Sequence, residues 1–216
     1  MTPVGASDPA AAVADAARRL AAQGLLVGTA GNVSVRDGER CWITVSGAVL
    51  AETTPDDVVA VPLAGGEGVR ASSELELHRL VYAARPEVGA VVHTHAPYST
   101  AVACVLPELP VIHYQQLLLG GAVRVAPYAT FGSPALAEGV AEALTGRQAA
   151  LLANHGSVAV GPDRAAATEH AVLLEWLAAL HHRASVLGTP RVLSEAEQTD
   201  VVLAALARRY GEKSTS

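Results

Sequence analysis

Ala90-Val91-Val92-His93-Thr94-His95-Ala96 is the stretch on which the fold and the chemistry turn. Small and β-branched residues lead into two histidines one residue apart. If Ala90–Val92 run as a strand, His93 and His95 point the same way, because side chains alternate faces with period two. Two imidazoles on one face can grip one metal ion once a third ligand arrives. A third stands far along the chain at His155, in Asn154-His155-Gly156, directly after the apolar run Ala149–Ala153. Taken alone, His-x-His is a weak signal, and a histidine in a strand is more often a hydrogen-bonded structural residue.

The bulk composition narrows the setting. A chain of 216 residues is long enough for one well-buried domain and short for two. Half the residues are hydrophobic, and only 4% are aromatic, so core volume must come from Ala, Val and Leu. A net charge of −6 without a Lys/Arg cluster argues against nucleic-acid binding. Cys41 and Cys104 are too few for a disulfide framework and read as ordinary buried thiols in a reducing compartment. No secretory signal is visible at the N-terminus, and no apolar run approaches the roughly 18–20 residues of a membrane span. The expectation is a soluble, cytoplasmic protein.

Local signals place the elements around the histidines. Asp8-Pro9 opens a helix that Gly24 can stop. Gly28–Asn32 is a turn into a strand at Val33–Arg36, and Asp37-Gly38 marks the hairpin to Cys41–Val45. Val58–Leu63 is a further strand, and Gly65-Gly66 a turn before another short one. Ser72-Ser73-Glu74 opens a helix to about Arg85, with Ser73 and Glu76 at capping-box spacing. Helices follow from Pro97, from Ser133-Pro134, and from Pro162 to about Leu187, with a last one capped by Ser194 and Glu197. Hairpins among alternating helices and strands predict a single α/β domain over residues 1–216. Its central sheet is mixed or mostly antiparallel and covered by helices, and residues 211–216 form a loose tail.

A helix N-terminus suits an anion, since its backbone N–H groups are unpaired and its dipole is positive. Ser72 and Ser73 add hydroxyls there, and the turns at Gly28–Asn32 and Ser46-Gly47 could bring further amides. Capping by Ser73 and simple turning by the glycines account for the same features. Glu74, in the first helical turn, is favoured by the dipole anyway; beside a metal it could move protons. His78, His113, His170 and the pair His181-His182 read as structural or solvated.

The sequence nevertheless resembles the class II aldolase/adducin family across almost its whole length, nearest its L-fuculose-1-phosphate aldolase branch. The motifs that carry the resemblance are G-T-A-G-N-V-S-V-R at 28–36, I-T-V-S-G at 43–47, S-S-E at 72–74 and V-V-H-T-H-A at 91–96. I-H-Y at 112–114, A-P-Y-A-T-F-G at 126–132 and L-L-A-N-H-G at 151–156 complete them. The resemblance implies Zn2+ on His93, His95 and His155, with another divalent ion able to replace it. It implies Glu74 as the proton carrier, and a phosphate site of Asn32, Ser46, Gly47, Ser72 and Ser73. Ser46 stands where threonine is common, which keeps the hydroxyl. Phe131 would line the aldehyde pocket. Tyr114 would come from a neighbouring subunit as an acid toward the aldehyde oxygen, and Tyr210 from a mobile tail. The implied assembly is a C4 homotetramer with active sites between subunits, and the implied substrate a small phosphorylated sugar. The implied reaction cleaves a ketose 1-phosphate, through a metal-stabilised enediolate, to dihydroxyacetone phosphate and an aldehyde. Epimerases, decarboxylases and dehydratases share the scaffold. Tyr114-Gln115-Gln116 carries no carboxylate soon after His113, which weighs against dehydration.

Overall fold

The structure, a computed structural model, describes residues 8–66 and 69–208. Its first helix, α1 (Pro9–Ala22), starts where the Asp8 carboxylate accepts from the Ala10 amide at 3.1 Å and ends before Gly24 at φ +76°. Strands β1 (Asn32–Asp37) and β2 (Arg40–Thr44) form the expected hairpin, followed by β3 (Val58–Pro62). Helix α2 (Leu75–Ala84) precedes β4 (Ala90–Thr94), and α3 (Pro97–Ala103) follows it. Next come β5 (Glu108–Leu109), a 3-10 turn at Tyr114–Leu119, β6 (Val123–Ala126) and α4 (Pro134–Ala143). The hairpin β7 (Ala149–Leu152) and β8 (Gly156–Gly161) leads to α5 (Arg164–Leu187) and α6 (Glu195–Ala207).

The strands make one sheet in the order β3-β2-β1-β4-β8-β7-β6-β5. Every pairing is antiparallel except β6 with β7, so the α/β architecture with a mixed, mainly antiparallel sheet is as the sequence predicts. The central strands are apolar on both faces because helices cover both. Val92 and Leu151 face one cluster, packed with α1, α3 and α5, while Val91 and Leu152 face the other, packed with α2 and α4. Aliphatic side chains fill both layers, as the shortage of aromatics requires.

Four local expectations are corrected. Ser73 and Glu76 form no capping box: the residue at the α2 N-cap is Glu74, and the Ser72 hydroxyl accepts from the Glu74 amide at 3.3 Å. Helix α5 starts at Arg164, capped by Asp163, since the Asp163 side chain supplies the acceptor that Pro162 lacks. Cys104 is exposed, because α3 ends at it and turns it outward; Cys41 is buried, and burial pushes its thiol up to about 11. After Gly66 only an isolated bridge, Val45 to Ala71, is formed among the described residues. The bridge carries Ser46-Gly47 alongside Ser72-Ser73. Tyr210 and the tail at 211–216 lie outside the described residues. No described helix is long and apolar enough to cross a membrane.

Candidate active site

Strand β4 delivers His93 at its end and His95 just beyond it. The tight turn between β7 and β8 delivers His155, with Asn154 in the left-handed region at φ 55°. The turn can sit against β4 only because residue 156 is glycine: a Cβ there would collide with the Thr94 carbonyl and reach the His95 ring at 3.1 Å. Gly31, at φ +103°, likewise lets the chain pass close to the His93 carbonyl oxygen, which a Cβ would meet at 2.8 Å. Behind His95, Glu175 on α5 accepts from the Tyr98 and Ser99 amides at 2.9 and 2.8 Å and from the Ser99 hydroxyl. The carboxylate that interrupts the apolar run of α5 therefore pins the start of α3.

The three histidines and Glu74 converge. One ligand atom of each lies within 4.8 Å of every other. Glu74 Oε2 is 2.9 Å from His93 Nε2, Glu74 Oε1 is 3.3 Å from His155 Nε2, and the Nε2 atoms of His93 and His95 are 2.9 Å apart. His93 Nδ1–H donates to the Ser157 carbonyl at 2.9 Å, which commits its Nε2 lone pair to the centre. Glu74 Oε1 is buried without a hydrogen-bond donor among the described residues. A carboxylate and three imidazoles turned on one point present acceptors with too few protons between them, which is the donor set a divalent cation fits.

The electrostatics agree. Burial lowers the His95 imidazole to about 4, with His93 and His155 adding to the effect and Glu74 opposing it. Burial, then His93, lowers His155 as well. Both rings are thus neutral at pH 7, the form that binds metal. The Glu74 carboxyl is held below the usual carboxylate range: burial acts to raise it, while positive charge shared with His93 and His155, which a bound cation would supply when the rings are neutral, and the Asn32 amide act to lower it.

The cluster floors a cavity of about 310 Å³. Asn32, Ser46, Gly47, Ser72, Ser73, Glu74, His95, Phe131 and His155 all line it, so segments scattered over more than a hundred residues meet there. The Ser73 hydroxyl and the backbone amides of Gly47 and Ser73 have no partner among the described residues. With capping ruled out, Ser73 is left facing the cavity. Ser73→Ala is accordingly expected to weaken binding of a phosphorylated ligand about tenfold, the loss of one hydrogen bond to a charged group. Its unfolding free energy should stay within about 0.5 kcal/mol of wild type, since no cap is removed. Isothermal titration and urea unfolding measure the two.

Tyr114 is not among the lining residues. It stands half-exposed on the 3-10 turn, beside α6 in a separate apolar groove. Conversely Thr29, Tyr128 and Asn154 line the cavity although none is singled out as a site residue from the sequence; each lies inside one of the motifs at 28–36, 126–132 and 151–156. His78, read from the sequence as structural, is fully buried and bonded to Asn32 and Ser34.

Burial holds His78 down near 3, with His93 reinforcing and Glu74 opposing. The unfolded imidazole takes its proton near 6.5 and the folded one refuses it, so this contribution is complete above about pH 6.5 and is lost as pH falls. Between pH 6.5 and 4.5 the folded state should lose about 2–3 kcal/mol through this group. Urea midpoints across that range test it, and His78→Gln should flatten the dependence.

Comparison with known proteins places these features in a wider group. Residues 11–182 match the family described as Class II Aldolase and Adducin N-terminal domain. A 5-methylthioribulose-1-phosphate/5-deoxyribulose-1-phosphate aldolase from Rhodospirillum rubrum is 43% identical over 191 residues, covering 87% of this chain and 86% of its own. An L-fuculose phosphate aldolase from Escherichia coli is 40% identical over 185 residues, covering 83% and 85%. A solved L-fuculose 1-phosphate aldolase superposes with a TM-score of 0.86 at 34% identity, over 95% of this chain and 98% of that one.

Proposed function

The chain belongs to the class II aldolase and adducin family, and on that premise we propose that it is a zinc-dependent lyase cleaving a ketose 1-phosphate. The products are dihydroxyacetone phosphate and an aldehyde. The observation that carries this reading is the Glu74, His93, His95, His155 cluster at the floor of a cavity whose wall carries hydroxyl and amide hydrogen-bond donors suited to an anion.

His93, His95 and His155 would hold the metal. When bound, a divalent ion supplies a Lewis acid that offsets negative charge developing on a carbonyl oxygen. Ser72, Ser73, Gly47, Ser46 and Asn32 bind and orient the phosphate, fixing the sugar with its cleavable bond over the cluster. The C4 hydroxyl gives up its proton, the C3–C4 bond breaks, and its electron pair stays with the three-carbon fragment. Glu74, ionised at rest, takes up the equivalent of the C4 hydroxyl proton and delivers it to C3 of that fragment, which restores its charge. Tyr114 of a neighbouring subunit handles the aldehyde oxygen, Phe131 lines the aldehyde side, and Tyr210, outside the described residues, would add to substrate binding. This reading includes a cytoplasmic C4 tetramer, which accounts for a tyrosine that stands away from its own chain's cavity.

L-fuculose 1-phosphate is one substrate of this type. The 43% identity to the Rhodospirillum rubrum aldolase favours a second, a 5-deoxypentulose 1-phosphate or its methylthio analogue, and the exposed rings of Tyr128 and Phe131 at the cavity suit such an apolar tail. Purified protein with zinc is incubated with each of the three phosphates, dihydroxyacetone phosphate is read by a coupled reductase, and the aldehydes are identified by NMR. Release of dihydroxyacetone phosphate from at least one is expected. Its absence from all three would remove the reading.

A further inference from the structure

A chain of buried polar groups runs behind Glu74. Glu74, His78 and Tyr82 follow one another at four-residue spacing and share a face at and beyond the start of α2, while Asn32 and Ser34 share a face of β1. Asn32 Nδ2 donates to Glu74 Oε2 at 3.0 Å, and His78 Nε2 meets Asn32 Oδ1 at 2.5 Å. The Ser34 hydroxyl lies 2.7 Å from His78 Nδ1 and 2.8 Å from the Tyr82 hydroxyl. All five residues are buried, with none more than 5% exposed.

The proton positions follow from the two ends. A carboxylate only accepts, so Asn32 must turn its NH2 to Glu74 and its oxygen to His78. His78 then carries its proton on Nε2 and accepts the Ser34 proton on Nδ1, and Ser34 accepts from Tyr82. The opposite polarity would press Asn32 Oδ1 against the carboxylate. It would also leave the Tyr82 proton without an acceptor among the described residues. Both ends select the same arrangement. Because the series stops at a buried tyrosine, it leads no proton to water, and what it offers Glu74 is orientation.

We infer that His78 is a positioning residue, acting through the Asn32 amide to hold the Glu74 carboxylate in place for proton transfer. The inference rests on the proposed role of Glu74. It also explains why a fully buried histidine is kept among aliphatic side chains, where an unpaired one would be costly.

Two measurements test it. In the 15N-labelled full-length protein, long-range imidazole correlations should show His78 as the Nε2–H tautomer, assigned by its loss in His78→Gln. The Nδ1–H tautomer would overturn the proposal whatever the enzyme's substrate. In steady-state kinetics, His78→Leu removes the donor and should lower kcat about 10–100-fold with KM within about threefold and metal content unchanged. His78→Gln restores an N–H toward Asn32 and should recover to within about fivefold of wild type. Ser34→Ala, a smaller change that keeps the core volume, should lower kcat about 3–10-fold and decides the matter if His78→Leu does not fold. Undiminished kcat in His78→Leu, or in Ser34→Ala where it stands alone, would refute the role, as would equal losses in the Leu and Gln variants. If the wild-type protein releases no dihydroxyacetone phosphate, the proposed function fails, and the tautomer still reports on His78.

Discussion

His155→Ala should abolish both metal retention and turnover while leaving the fold intact. The residue sits in the turn between β7 and β8 rather than in either apolar layer, so its truncation opens no core cavity. What it removes is the one proposed histidine ligand that comes from outside the β4 segment. His93 and His95 alone leave a divalent ion half-held, and the Glu74 oxygen 3.3 Å from His155 loses its neighbour. Metal per chain after gel filtration should fall below about a tenth, and kcat should drop by about three to four orders of magnitude, the several kcal/mol a Lewis-acid ion contributes. Chelator treatment of the wild type should reach the same low activity and be reversed by added zinc, while the variant stays inactive. Elemental analysis, circular dichroism and rate measurements on the same samples separate the possibilities. A variant that keeps a full complement of metal and works within about tenfold of wild type would show that His155 is no ligand.

Glu74→Gln should produce a different defect: metal retained, chemistry lost. Glutamine has nearly the volume of glutamate and keeps an oxygen for the Asn32 amide, so the packing of the α2 N-terminus survives. It cannot carry a proton. The expected loss in kcat is about 10²–10⁴-fold, the usual worth of a general acid or base, with KM nearly unchanged. Solvent deuterium exchange into dihydroxyacetone phosphate isolates the proton step from the aldehyde half of the reaction. Wild type should exchange one C3 proton and the variant should not, and exchange at the wild-type rate would take the proton from Glu74 and give it to another group.

Much of the architecture is written locally. Asp8, Ser133 and Ser194 cap the helices they precede, and the Asp37-Gly38 turn joins the two strands that flank it. The His-x-His pair lies at the end of a strand, where period-two alternation aims both rings one way. What the local signals miss concerns groups whose partners are remote. Ser73 and Glu76 have the spacing of a cap, but Ser72 is held by the Thr44 carbonyl across the β2 bridge, which sets the chain into α2 at an angle no spacing encodes. His78 and Asn32 are 46 residues apart, and only the packing of α2 on β1 makes them partners. Tyr114 stands apart from its own chain's cavity, and its proposed delivery from a neighbouring subunit would depend on chain packing that a single sequence does not display.

The central pairing sets His93 opposite Val158 and Thr94 opposite Ser157. A slip of one position between β4 and β8 would leave both apolar layers nearly as well filled, since these strands are aliphatic on both sides, yet it would carry the imidazoles of β4 to the wrong side of the sheet. Hydrophobic burial alone discriminates poorly against that mistake. Ion capture discriminates sharply, because only the correct alignment brings ligands from the two strands' ends together. If the cluster holds a divalent ion as proposed, binding it would therefore favour the correct alignment over the slipped one.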